Sequence, residues 1–502
     1  MVFRPASWLG NTIAGWIPAR YILAVLGSMS LAIIYGLRVN LSVAIVIMVN
    51  HTWLSNLSNT TNSSCPKRDT ETTPQFSSVL QDGPFQWDEY QQGLILSSYY
   101  WGYLTSQIPG GRISEIFSAK WAMFTAILLN SIGMLLTPVA AQSEPLLMFL
   151  RVVEGAGGGC SFPALSVLLS KWAPTEERDT MTTIVYAGAA LGTVLSLLFS
   201  GFIYTWQTWE AVFYWMGSLP ALWCLLWMWL VADDPTKQCY ITEKERLLIH
   251  KSLGDAHLPH KAFPVPWKKV CTSVPFIAII ITHFCNNFCW YFLLTELPKY
   301  MNQVLCFKIE DDYLLLSMPY FTLWIFTLIL GKCLDLGRTR KVITTTAARK
   351  ISTFFASVVP AACILGVTYA ECNHTAVIAA MFIAVTAMGG MFSGVYSNNL
   401  DIAPNYAGTL LGITNTFGTI PGIIVPIFVG GITYSSQTAE QWNIIFYTIL
   451  GMLVFEAVVY LIFGSGEEQS WNKSNDRTMP ADNKIVVPEV LKKQTTNEIP
   501  EL

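Results

Sequence analysis

Three charged residues stand inside long apolar runs: Arg38 within 21–49, and Arg151 and Glu154 within 145–169. A charge at the centre of a bilayer costs roughly 2.5–3.5 kcal/mol on insertion scales, so such residues are kept where they face a polar cavity or a partner. A guanidinium offers a planar fork of donors that matches a carboxylate or a phosphate. Two of them in one cavity point to an anionic cargo. Arg151 and Glu154 are three apart and share a helix face. They form either an internal ion pair that holds the helix in place, or a coupling site where Glu154 binds a proton or helps to bind sodium. A carboxyl in a low-dielectric cavity takes up a proton more readily than one in water, and an arriving anion would screen the opposing pull of the arginine.

Other polar groups are candidates for the lining of such a cavity. Tyr35 and Asn40 lie beside Arg38; Asn286, Asn287, Tyr291 and Asn415 lie in later apolar runs, with Asn398 and Asn399. Each could equally satisfy backbone groups inside a membrane helix. The run Gly155-Ala156-Gly157-Gly158-Gly159 follows no strand and lacks the Gly-Lys-Ser/Thr ending of a phosphate loop. Close helix packing is the better account of it. His283 reads as structural, and Glu296 and Glu456, near span ends, are expected to reach water. Eleven cysteines show no metal-type spacing; Cys65, Cys306 and Cys372 fall in outside loops and leave room for one disulfide. No metal site, resident cofactor, catalytic triad or nucleic-acid patch stands out, and the chain is not expected to be an enzyme.

The elements that must position these residues are membrane helices. The chain is 52% hydrophobic and 13% charged, where a soluble domain carries about 25% charged residues. Its apolar runs reach the length of about 20 residues that a span needs. Twelve spans are expected, an all-α membrane protein in two six-helix halves, 21–231 and 273–463. The remaining segments are an N-terminus (1–20), a first outside loop (51–86), a charged central loop (232–272) and a polar tail (464–502) that is expected to be disordered.

Orientation follows the bias of Lys and Arg towards the cytoplasm. With both termini inside, the cytoplasmic segments hold 24 of the 30 basic residues, and Lys67, Arg68, Lys299 and Lys308 fall outside. Glycosylation sequons at Asn50, Asn56, Asn59 and Asn62 fall in the first outside loop, and one at Asn373 lies in another. The chain also repeats itself. At an offset of 230, Ala173-Pro174 matches Ala403-Pro404, Gly188 matches Gly418, Gly192 matches Gly422 and Gly159 matches Gly389. At an offset of 220, Gly111, Glu115 and Lys120 match Gly331, Asp335 and Arg340. Two similar halves in the same orientation are the plan of major facilitator transporters, which rock about a central site.

Longer runs resemble a family within that plan. Leu37-Arg38-Val39-Asn40-Leu41-Ser42, Gln107-Ile108-Pro109-Gly110-Gly111, Lys171-Trp172-Ala173-Pro174, Asn399-Leu400-Asp401-Ile402-Ala403-Pro404 and Ser465-Gly466-Glu467-Glu468-Gln469 are similar to the sodium/phosphate and organic-anion cotransporters. That family includes sialin and the vesicular glutamate transporters. The nearest likeness is to insect members named as inorganic phosphate cotransporters. The resemblance covers roughly 20–472. It implies that Arg38 and Arg151 face the anion and that Glu154 is the first acidic position of the pattern Arg-x-x-Glu-Gly-x-x-Glu-Gly. The second acidic position, tied to proton coupling in sialin-like members, falls on Gly158. The span-two histidine and span-seven arginine of the vesicular glutamate transporters fall on Leu96 and Asn286.

The expected function is secondary active symport of inorganic phosphate or a small organic anion, driven by sodium, in a monomer at the plasma membrane. A proton-coupled carrier of acidic sugars or amino acids is the alternative. A non-transporting, anion-sensing receptor is the alternative from another class.

Overall fold

The computed structural model describes residues 17–50, 52–53, 83–206, 208–253, 265–296, 300, 313–370, 373–433 and 439–472. Among these, eleven helical stretches are long and apolar enough to cross a membrane, and the stretch Gln91–Ala140 runs for 50 residues. It contains two helices, Glu89–Ile113 and Ala119–Ala140, joined through a π-helical turn at Ser114–Ser118. Twelve spans result, as the hydropathy pattern implies.

Span one is Ala19–Met48 and span two Glu89–Ile113. Span three is Ala119–Ala140, and span four comes in two pieces, Glu144–Gly159 and Ser161–Trp172. Spans five and six are Arg178–Trp206 and Trp209–Leu230. Span seven, Val274–Tyr291, continues in a π-helical turn through Glu296. Spans eight and nine are Tyr313–Thr339 and Thr345–Ala370. Span ten runs from His374 to Ile402 with a break after Ala387. Span eleven is broken before Pro421, and span twelve is Ala439–Phe463.

Local chemistry sets the helix starts. Asp88 and Gln91 form a reciprocal capping box at span two, and the Ser118 and Asn373 side chains accept backbone N–H groups at spans three and ten. Small residues then let helices touch backbone to backbone. A Cβ on Gly155 would lie 1.9 Å from the Tyr99 carbonyl, and one on Gly192 would lie 2.0 Å from the Ala32 carbonyl. Bare glycine is therefore required where span four meets span two and where span five meets span one.

Span two packs on span eleven and span five on span eight, joining the first six spans to the last six. At the end of the bundle that carries Ala19 and Phe463, ions reinforce this junction. Asp179 of span five binds Arg338 at 3.0 Å and also pairs with Arg349; Asp401 binds Arg349 at 2.6 Å and Arg178 at 3.3 Å. Glu115 receives the Thr409 N–H at 2.6 Å and its hydroxyl at 2.7 Å. Beside them, Arg20 bridges Glu177 and Glu245, and the backbone N–H of Ala19 also donates to Glu245. Burial alone would push the Glu177 carboxyl up; hydrogen bonds and charge from Arg20, with the Tyr21 hydroxyl, outweigh it and hold the group below its usual value.

Two expectations need correction. Residues 464–472 of the tail are ordered, the rest lying outside the described residues: Gln469 N–H donates to the Ile402 carbonyl, and the Asn472 side chain receives Asn405 N–H. Its small polar residues satisfy the open end of span ten. Glu296 and Glu456, expected to reach water, are 1% and 0% exposed. Distance along the chain from a helix end misjudged their depth, because neighbouring helices cover them. Cys65, Cys306, Cys372, Asn56, Asn59 and Asn62 lie outside the described residues. Asn50 caps the turn at Trp53, and Asn373 is exposed at the start of span ten.

Candidate functional site

Arg38 sits in the middle of the molecule, 8% exposed, with its guanidinium inside a cage of tyrosine rings. Tyr100 is nearest, with its centroid at 4.3 Å; Tyr35, Tyr103, Tyr99 and Tyr291 follow at 5.3, 5.5, 5.7 and 5.9 Å. Ring faces attract a cation without neutralising it. The guanidinium donates a hydrogen bond to the Tyr291 hydroxyl at 3.3 Å. That bond joins span one to span seven. Among the described residues no carboxylate pairs with Arg38, so most of its donors are uncommitted.

Arg151 is committed differently. It donates to Glu154 at 2.6 Å and to the Arg38 carbonyl at 3.3 Å, and its guanidinium stacks over Tyr99 at 4.9 Å. Both members of the pair are buried, and Arg151 Nε and Glu154 Oε1 lack partners. Glu154 fits against the bare Cα of Gly133, where a Cβ would lie 2.4 Å from the carboxyl. Gly158 faces the Tyr99 hydroxyl, which a Cβ there would meet at 2.2 Å. The space for a second acidic side chain is thus taken by Tyr99.

A small cavity of mixed polar and apolar lining lies between the two sets of spans, lined in part by Tyr35, Tyr291, Asn287 and Asn415. The sequence put these four near the site, and the structure brings them together. Two other candidates lie elsewhere. Asn40 receives the Ser200 hydroxyl at 2.8 Å and points towards Met134, tying span one to spans five and three. Asn286 donates to the Ala356 carbonyl and to Glu456, both at 3.0 Å, inside the last six spans. Neither lines the cavity, because each side chain turns into its own bundle.

Further cavity residues were not singled out from the sequence. Tyr103 receives Asn415 Nδ2 at 3.1 Å; Tyr396 contacts Asn415 and the buried His283; Thr419 receives Gln107 at 2.9 Å. The signal for the cage was there: Tyr99, Tyr100 and Tyr103 occupy one helix face at i, i+1 and i+4. His283 is fully buried against Tyr396.

A twelve-span bundle with a cavity at the junction of its two sets of spans defines a membrane transporter of the major facilitator type. The chain matches the Major Facilitator Superfamily over residues 27–426 and belongs to it. The solved structure of the proton:xylose symporter XylE shares the fold, with a TM-score of 0.65 over 91% of this chain and 98% of that one, at 14% identity. Within the superfamily, the branch is that of sialin, the phosphate cotransporters and the vesicular glutamate transporters. Sialin of Homo sapiens is 38% identical over 90% of each chain. A Drosophila ananassae protein named "Putative inorganic phosphate cotransporter" is 35% identical over 89% of this chain and 93% of its own. Vesicular glutamate transporter 2 of Bos taurus is 34% identical over 91% of this chain and 75% of its own. These relatives are transporters rather than enzymes, and nothing in them supports the receptor alternative.

Proposed function

We propose that this chain is a secondary active transporter of a small anion, inorganic phosphate or a small carboxylate, working by alternating access and coupled to a cation gradient. Arg38 carries the reading: a buried guanidinium with uncommitted donors, held by aromatic faces beside a cavity between the halves. A tyrosine cage stabilises the cation and leaves its fork free for an incoming anion. Arg151 contributes charge from behind, already shared with Glu154. Ion pairs close the terminal end, so the present state is sealed there.

Sodium remains the first coupling ion by family likeness. A specific observation favours the proton: Glu154 is buried with one oxygen unpartnered and Arg151 as its cation, an arrangement that can exchange a proton as the pair opens. The bias of basic residues supports cytoplasmic termini, and we place the protein at the cell surface.

The test is uptake of labelled phosphate and of glucuronate by liposomes carrying the purified chain, with sodium and pH gradients imposed separately. Saturable uptake driven by one of the two gradients is expected. Uptake that follows neither gradient would overturn the reading.

A further inference from the structure

A second buried carboxyl, Glu456 on span twelve, has no role in the site above. It is 0% exposed, and no cation pairs with it among the described residues. Its surroundings are neutral donors. Asn286 of span seven donates to Oε1 at 3.0 Å, and the Ser357 hydroxyl of span nine donates to the same oxygen. The other oxygen, Oε2, is buried without a partner. Cys285 and Cys289 on span seven lie close enough to feel the charge of the carboxyl, and Cys363 of span nine is close enough to interact with Cys289. Arg349, also on span nine, is occupied by Asp179 and Asp401; Tyr460, on span twelve itself, receives Asn398; the second piece of span eleven carries no titratable residue.

An ionised carboxylate here would be a buried anion with neutral donors on one oxygen, the other bare and no cation to pair it, and the cost of that is large. A metal cation would need converging oxygens. Asn286 instead turns its Nδ2 to Glu456, fixed by its second bond to the Ala356 carbonyl, so a donor faces the carboxyl. A proton on Oε2 meets both constraints.

We propose that Glu456 is a proton-binding site of the last six spans, loaded in this state and discharged during transport. Span seven supplies the linkage. Asn286 holds Glu456, the adjacent Asn287 lines the cavity, and Tyr291 holds Arg38. A shift of span seven when Arg38 releases Tyr291 for an anion opens the Glu456 pocket to water, and the proton leaves to that water while Asn286 and Ser357 remain as donors to the carboxylate. The coupling part of this proposal rests on the anion-transport reading; the proton site does not.

Infrared spectroscopy of the full chain in liposomes tests the site without any anion. A protonated-carboxyl C=O stretch is expected at neutral pH, lost on alkaline titration, absent in Glu456→Gln and displaced in Glu456→Asp. No such band, or a band unchanged in both variants, overturns the site. In transport, Glu456→Gln should lose uptake of phosphate and glucuronate driven by a pH gradient while retaining exchange of the same anion. Full gradient-driven uptake by the variant overturns the discharge step. If wild-type liposomes take up neither probe, the transport reading fails, and the infrared titration still decides the proton site.

Discussion

Arg38 and Arg151 share a residue type and a depth but not a state. Arg38 is held by ring faces and one hydroxyl, while Arg151 is neutralised by Glu154 at 2.6 Å. The sequence left open whether Arg151 and Glu154 are a scaffold pair or a working pair; the geometry makes them a pair, and their work lies in how it opens. Removing one partner strands a buried charge, which costs about 3–5 kcal/mol. Glu154→Gln should therefore lower the melting temperature clearly, while Arg151→Met combined with Glu154→Gln recovers most of the loss. Equal melting temperatures for wild type and Glu154→Gln would show that the pair is open in solution. The arginines and Glu154 were legible because charges inside apolar runs have few explanations. Glu456 was misread, since its partners Asn286 and Ser357 are remote in sequence and its depth depends on helices that no local pattern describes.

At the scale of elements, the number of spans was legible, because apolar length alone reports it. What hydropathy hides is helix rotation. Asn40 and Asn286 looked like cavity residues by position, yet each faces its own bundle; Tyr99, Tyr100 and Tyr103 form the cage instead. Glycine placement is the part of packing that sequence does carry. Gly155 meets the Tyr99 carbonyl where a Cβ would lie at 1.9 Å, while nothing lies within 4 Å of a Cβ on Gly366 in span nine. Gly155→Ala should separate spans two and four, moving the cage from the Arg151–Glu154 pair, with an expected loss of about 1–3 kcal/mol. Gly366→Ala should be neutral or stabilising by up to about 1 kcal/mol through helix propensity. Thermal denaturation in detergent reads both; similar effects at the two positions would contradict this packing.

For the molecule as a whole, the internal repeat matches span two with span eight and span five with span eleven, so packing of two on eleven has its repeat-related counterpart in packing of five on eight. The structure sets each of these pairs in contact across the cavity. The ion network at the terminal end shows why Arg178, Arg338 and Arg349, counted in the sequence as cytoplasmic charges, are better seen as ties: each binds Asp179 or Asp401. These ties span 52 to 223 residues of chain and left no local signature. They seal one end, the cavity lies beyond them, and Tyr35, Tyr103 and Tyr291 of the Arg38 cage line it. The central claim is that this guanidinium receives the anion. Uptake of labelled phosphate and glucuronate by liposomes holding equal amounts of folded wild type, Arg38→Lys and Arg38→Ala measures it directly. Uptake should vanish with alanine and fall with lysine, which keeps the charge and loses the fork; wild-type uptake by Arg38→Ala would contradict the account.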